Sequence, residues 1–392
     1  MAVTSAQGRI AVRESTENIP SGRRVRDVSN TIHYLDPNEN PFVLLAKAAR
    51  SRTVFNSKFE WMEKDLPTRT TLATDTSSTA NQGVTTGTAS RFNANDLILN
   101  TTSGEISLVS SLSDANTLVT VRSAGSVAAT ANVVGDTLVH IGTAYPEGGT
   151  LGTPRSVSEG FLYNYTQIFR QPFGTTGTEE VSENYGGRDK ARLRKEHGVY
   201  HMIDIERAFI FGNAILDTST SGLGGTTATP WRSTGGFIEF VTTNTQAAGS
   251  ALTEPEMETF CQTVFTATGS GNSRTLFAAP GVVSVIDQLA AGRLQTVPST
   301  KTYGIAVNQW LTSHGTLNIV KHRLLNATPY TGYALAVDTT KVAYAKMRER
   351  DTKLREDVGT PGDDGWTDEY LTECGFEVNN QTAHGILTGV IA

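Results

Sequence analysis

The chain of 392 residues is too long for one ordinary core and predicts two or three domains, with arms or long loops absorbing part of the length. Hydrophobic residues make up 38% and charged residues 18%, and Gly, Thr, Ser and Asn fill the difference, which favours β-structure and turns over helical bundles. A formal net charge of −6 argues against a surface given over to nucleic acid, and no run approaches the roughly 18 to 20 apolar residues of a membrane span, so no membrane partner is expected.

The first segment, residues 1 to 29, is polar and unpatterned and has no apolar stretch of the kind a secretory peptide needs. It reads as an arm that gains order only on a neighbour. Arg23, Arg24 and Arg26 form a basic knot within it, either a solvated tail or a surface that meets anions. In "YLDPNENPFVLLAKAARS", Asn38 or Asn40 can cap a helix and Pro41 suits its first position. Phe42, Leu45 and Ala49 then share one face, which predicts a short amphipathic helix. "TVFNSKFEWMEK" alternates imperfectly and predicts a strand with Val54, Phe59 and Trp61 on its buried side.

From Leu97 to Ile141 brief β-segments alternate with Asn, Gly, Ser and Asp turns, predicting a small barrel or sandwich. A unit of about 50 to 60 residues is marginal by itself, which points to an insertion held by its surroundings. The span from Phe92 to Gly160 carries six acidic residues against two basic ones. "FLYNYTQIFRQPFGTTG", Phe161 to Gly177, is a second aromatic strand; paired with "TVFNSKFEWMEK" it would make a long hairpin whose tip carries the insertion. Between Gly186-Gly187 and Gly212-Asn213, Val199, Met202, Ile203, Phe209 and Ile210 recur at helical steps. That predicts the longest helix, roughly 36 Å for about 24 residues. A buried strand, a proline and an amphipathic helix follow in "RTLFAAPGVVSVIDQLAAGRLQ", and β-structure returns toward the C-terminus. Helical and strand segments are segregated, so the fold class is α+β.

Signals for chemistry are weak. His197 and His201 stand four apart on the predicted helix, a spacing able to bind metal, yet Gly198 occupies the place where a zinc-protease motif needs Glu. A hydrated or inter-subunit helix face is the plainer reading. "TGSGNSRT" has glycines but no following Lys-Ser/Thr, and the acidic stretch Arg348 to Glu369 lacks the ligand spacing of a Ca²⁺ loop. Cys261 and Cys374 form neither a disulfide framework nor a CxxC site. No catalytic, cofactor or metal residue is assigned, and no enzyme is expected.

Four short motifs in order carry a family resemblance: Asp36-Pro37 to Pro41-Phe42, Phe59-Glu60-Trp61, Asn164 to Phe169, and Ala383 to Gly389. With the arm, hairpin and long helix they make the chain resemble a major capsid protein of tailed bacteriophages with the HK-ninety-seven-like fold, from about Asn30 to Val390. The resemblance implies an N-terminal arm with a short helix at 1–50, and an extended loop at 51–186 with the β-insertion near 92–150. It further implies a peripheral domain at 187–245 and 326–392 with a spine helix at 188–211, and an axial domain at 246–325. It implies a shell protein in the virion, assembled in the host cytoplasm, whose partners are copies of itself in hexamers and pentamers. Portal, scaffolding and decoration proteins and weakly held double-stranded DNA complete the implied partners. Arg23, Arg24, Arg26, Phe42, Phe59, Trp61, Tyr165 and Phe169 are the candidate assembly contacts. One branch of that fold links subunits by a Lys-Asn bond; Lys58, Lys64, Asn379 and Asn380 supply the residue types, but nothing in the sequence fixes a carboxylate beside them, so non-covalent assembly is expected. The competing reading is a β-rich surface or tail-associated binding protein; a hydrolase built on His197 and His201 is a third.

Overall fold

A computed structural model describes residues 41–64, 70–74, 83–86, 89–150, 152, 154, 156–182, 189–218, 225–249, 251–267, 269, 271–289, 308–327 and 329–391. The arginine knot at Arg23, Arg24 and Arg26 lies outside these residues. In chain order the elements begin with α1 (Pro41–Ala49), β1 (Ser51–Val54) and β2 (Lys58–Glu63). Six short strands follow: β3 (Thr70–Leu72), β4 (Gly83–Thr85), β5 (Asp96–Asn100), β6 (Ile106–Leu112), β7 (Thr117–Val121) and β8 (Thr137–Thr143). The chain returns through β9 (Gly160–Tyr165) and β10 (Gln167–Thr176) into α2 (Gly177–Val181) and the longest helix, α3 (Asp189–Phe211). Then come β11 (Ile215–Asp217), β12 (Trp231–Ser233), α4 (Phe237–Phe240), β13 (Thr245–Ala247), α5 (Glu254–Phe265), β14 (Ser273–Ala278) and α6 (Pro280–Leu289). The last strands are β15 (Asn308–Leu311), β16 (Thr316–Lys321), β17 (Ala334–Val337), β18 (Val342–Met347), β19 (Lys353–Arg355), β20 (Gly365–Val378) and β21 (Gly385–Thr388).

The chain divides into two compact units, one of residues up to Phe59 together with Tyr163 onward, the other Glu60–Leu162. In the first, a five-stranded sheet runs β1-β18-β20-β10 with β19 also on β20, and a six-stranded sheet runs β13-β21-β17-β14-β16-β15. The helix α3 crosses the first sheet, and even-numbered β20 residues meet it: Arg194 Nε donates to Asp368 (2.8 Å), Tyr370 Oη to the Arg194 carbonyl (2.9 Å), and Phe376 packs on Phe209 (centroids 5.1 Å). Good helix formers over its first half build α3, and Gly212 ends it where a Cβ would stand 2.4 Å from the carbonyl oxygens of Ala208 and Thr234.

Helix α1 seats Phe42 among Phe237, Phe277 and Phe376, with centroids 5.3 to 6.0 Å away, so this side chain joins the cores of both sheets. Its buried face is Pro41, Phe42, Val43 and Ala46; Leu45 is half-buried and Ala49 exposed, which corrects the expected face. The reason is that the helix N-terminus is fixed from below: Glu206 accepts the backbone N–H groups of Phe42 (2.9 Å) and Val43 (2.7 Å). The long hairpin is also shorter than expected. Only β2 and β9 pair as a two-stranded ribbon, whereas β1 joins β18 in parallel and β10 runs against β20 for ten residue pairs.

The Glu60–Leu162 unit holds a six-stranded sheet in the order β3-β8-β5-β6-β7-β4, and the bridge Ala73 to Thr86 joins its two outer strands into a small barrel. This sheet starts at Thr70, well before the expected border near residue 92. Its core is Ala73, Val84, Ala89, Phe92, Ile98, Val109, Leu118 and Leu138. So small a core is supplemented by a buried pair: Arg122 donates through Nε and Nη2 to the two oxygens of Glu105 at 2.7 and 2.6 Å.

Candidate functional site

The described residues of the motifs are built into the fold. Asn164 Nδ2 donates to the carbonyls of Gly235 (3.0 Å) and Phe376 (2.6 Å), and its Oδ1 accepts the Gly235 N–H (2.8 Å), so a buried amide staples β9 to β20 and to the turn before α4. His384 Nδ1 accepts the Asp338 N–H at 3.2 Å, and burial pushes its pKa down to about 4. Phe59 lies over Gly375, where a Cβ would come within 2.6 Å of its ring; glycine in the middle of β20 is the seat for this aromatic.

This corrects the expected contact set. Phe42, Phe59, Trp61 and Phe169 are buried within their own chain and Tyr165 is half-buried, because the inward side of each strand completes the subunit core first. The apolar surface lies on their neighbours. Met62 is 64% and Phe161 66% exposed, Leu162 and Tyr163 are exposed on the same ribbon, and Ile168 is exposed at the start of β10. Lys58 Nζ stands 4.4 Å from the centre of the Tyr163 ring and covers one face of it.

His201 is buried, not on a hydrated face as expected, whereas His197 is half-buried. His197 stacks on Phe173 (4.7 Å, 7°) and its Nδ1 lies 3.2 Å from Gln171 Nε2; His201 Nε2 lies 2.6 Å from Thr372 Oγ1, and burial lowers its pKa to about 4. His201 fills the seam between α3 and the sheet, and His197 lies at its partly open edge. Among the described residues no group of three or more His, Cys, Asp or Glu side chains is placed to hold a metal ion, and no helix is long and apolar enough to cross a membrane.

On the face of the first sheet away from α3, β20 presents Glu369, Glu373 and Glu377, all buried, at alternate same-side positions. Each is bracketed by two arginines. Arg170 (2.6 Å) and Arg355 (3.3 Å) hold Glu369; Arg350 (2.6 Å) and Arg232 (3.7 Å) hold Glu373; Arg52 (2.7 Å) and Arg50 (3.7 Å) hold Glu377. Sequence reasoning missed this row, since its arginines come from four separate stretches of chain.

Residues 6–390 match the family described as SU10 major capsid protein. A major capsid protein of Pseudomonas phage PaMx41 is 25% identical over 254 residues, which is 62% of this chain and 59% of that one, so the match spans well under two thirds of the curated relative. Among solved structures, one from Mycobacterium phage Bobi aligns at 11% identity over 96% of this chain and 99% of its own (TM-score 0.48), and the capsid of a native GTA particle at 9% identity over 97% and 100% (TM-score 0.49). With the match running nearly end to end, the chain belongs to the SU10 major capsid protein family.

Proposed function

We propose that this chain is the structural, non-catalytic subunit of a tailed-phage head. It self-assembles through hexamers and pentamers, in the host cytoplasm, into an icosahedral or prolate shell around double-stranded DNA. The observation that supports this reading, beside family membership, is the β2–β9 ribbon, which leaves Met62, Phe161, Leu162 and Tyr163 exposed. A two-stranded ribbon is marginal in water, and exposed apolar side chains on both of its faces call for a cover. In a shell the cover is a copy of the same chain, through a heterologous contact that closes by rotation. Portal, scaffolding and decoration proteins are further partners in the proposal, and the acidic chain meets packaged DNA by weak, non-specific contact.

Expression of the full chain followed by electron microscopy tests the reading. Closed particles of megadalton mass are expected, and Phe161→Glu with Met62→Glu should give a folded chain that does not form them. A wild-type chain that stays a compact monomer or small oligomer at high concentration sinks it.

A further inference from the structure

Among the described residues, each of Glu369, Glu373 and Glu377 carries two arginines. Six arginines stand over three carboxylates on one face of one sheet. The glutamates are buried, whereas the side chains of Arg170, Arg355 and Arg50 are 61%, 49% and 49% exposed. A guanidinium has five donors in a rigid fork, and a carboxylate below it fixes the fork while leaving its outer edge to the surface. Glutamates four apart on a strand are separated by roughly 13 Å, so the face offers three oriented cationic positions in a line of roughly 26 Å.

The chain as a whole is acidic, and most of that acidity is in one place. Glu60–Leu162 contains ten acidic and five basic residues, a net −5 out of the chain's −6. Exposed acidic side chains of that unit include Asp114, Glu147 and Glu159. A cationic face and an acidic unit on every copy are complementary between copies, and opposite charge of this kind steers and registers an encounter more than it tightens it.

We propose that the arginine-capped face of β20 is a docking surface for carboxylates of the Glu60–Leu162 unit of a second copy of this chain. The proposal rests on the self-assembly reading and adds to it a registering contact that is electrostatic, separate from the apolar ribbon.

The test uses the full chain and follows particle formation against subunit concentration at low and high NaCl. Arg170→Glu with Arg355→Glu should raise the concentration for half-assembly about tenfold or more, by setting like charge against like. Since these changes leave Glu369 buried without its partners, a second variant, Arg170→Gln, Arg355→Gln and Glu369→Gln, removes the site without leaving a buried charge. It should assemble with a flatter salt response than wild type. If wild type forms no particles, the functional reading fails. If wild type assembles and both variants match its concentration and salt dependence, only the docking surface fails. Variants that assemble normally but retain less nucleic acid would assign the face to phosphate and overturn the proposal.

Discussion

Glu206 Oε1 lies 2.7 Å from His322 Nε2 with both side chains fully buried, and the two oxygens of the same carboxylate accept the first free N–H groups of α1. One acid on α3 thus fixes the start of a helix more than 160 residues away in sequence.

Glu206→Leu leaves Phe42 N, Val43 N and the His322 imidazole without an acceptor in a closed core. The expected cost is about 3 to 5 kcal/mol, the range for breaking a buried charged network from one side. Denaturant titration should show a lower midpoint, and hydrogen exchange should show the α1 amides losing protection before those of β20. A change below about 1 kcal/mol would mean that Phe42 packing alone holds the helix.

How much of this was legible depends on sequence distance. Pro41 at a helix start and the glycine-punctuated α3 were visible because the signals are local. Thr253 and Glu256, which form a capping box at the start of α5 with Pro255 between them, were equally local and went unread. The strands β3 and β4, three residues each among Thr, Ser and Gly, are too short for alternation to show. The Glu206 node and the arginine row were not legible at all: a four-residue spacing of glutamates in β20 resembles helix periodicity, and their partners come from β1, β10, β12 and β19 and the segments beside them. Burial of Phe42, Phe59 and Phe169 reversed the expected contact set for a related reason. Sequence marks which residues are apolar, not whether the core or a neighbour covers them.

Two buried histidines predict the acid response of the first unit. His201 and His384 have pKa values lowered by burial to about 4, against 6.5 for the ordinary group. The fold therefore favours the neutral rings, and the unfolded chain takes up protons first as pH falls below about 6.5. Stability is full above that pH, falls through the window to about 4, and is flat below it, by about 3 kcal/mol for each histidine at most. Denaturation midpoints between pH 7.5 and 4.5 should fall, and His201→Gln should reduce the slope. A midpoint that does not move between pH 7 and 5 would contradict neutral burial.

The barrel responds lower on the pH scale. Burial pushes the Glu105 carboxyl up, but Arg122 and the N–H groups of Thr130 and Ser123 outweigh it and hold the pKa at about 2, below the usual 4.5. Its contribution is present above about pH 4.5 and is lost as pH falls toward 2, by about 3 kcal/mol. Hydrogen exchange at Ser123 and Thr130 should accelerate across that window, and Glu105→Gln should reproduce the loss at pH 7. Unchanged exchange in that variant would show that the loop is held by other contacts, such as Arg122 Nη2 donating to the Thr130 carbonyl.

The last prediction concerns covalent linkage between subunits. A Lys-Asn bond requires an amine attacking the asparagine carboxamide, ammonia as leaving group, and a carboxylate to take the amine proton. The structure supplies more of this than the sequence suggested, because Asn379 Nδ2 donates to Oε1 of the buried Glu377 at 3.1 Å. The other requirements are engaged elsewhere. Glu377 is also paired with Arg52 at 2.7 Å and Arg50 at 3.7 Å, Lys58 rests on the Tyr163 ring, and Lys64 Nζ lies 3.1 Å from Glu159. Asn380 Oδ1 accepts from Thr382 Oγ1 at 2.6 Å. A proton acceptor already bracketed by two guanidinium groups is a poor base, and a lysine held by a ring or a carboxylate must first be released. Particles should therefore dissolve in hot detergent to a single band near 42.0 kDa. A ladder of multimers that survives boiling and reductant, and vanishes in Lys58→Arg, Lys64→Arg or Asn379→Asp, would establish the bond and reassign Glu377 from arginine anchor to base.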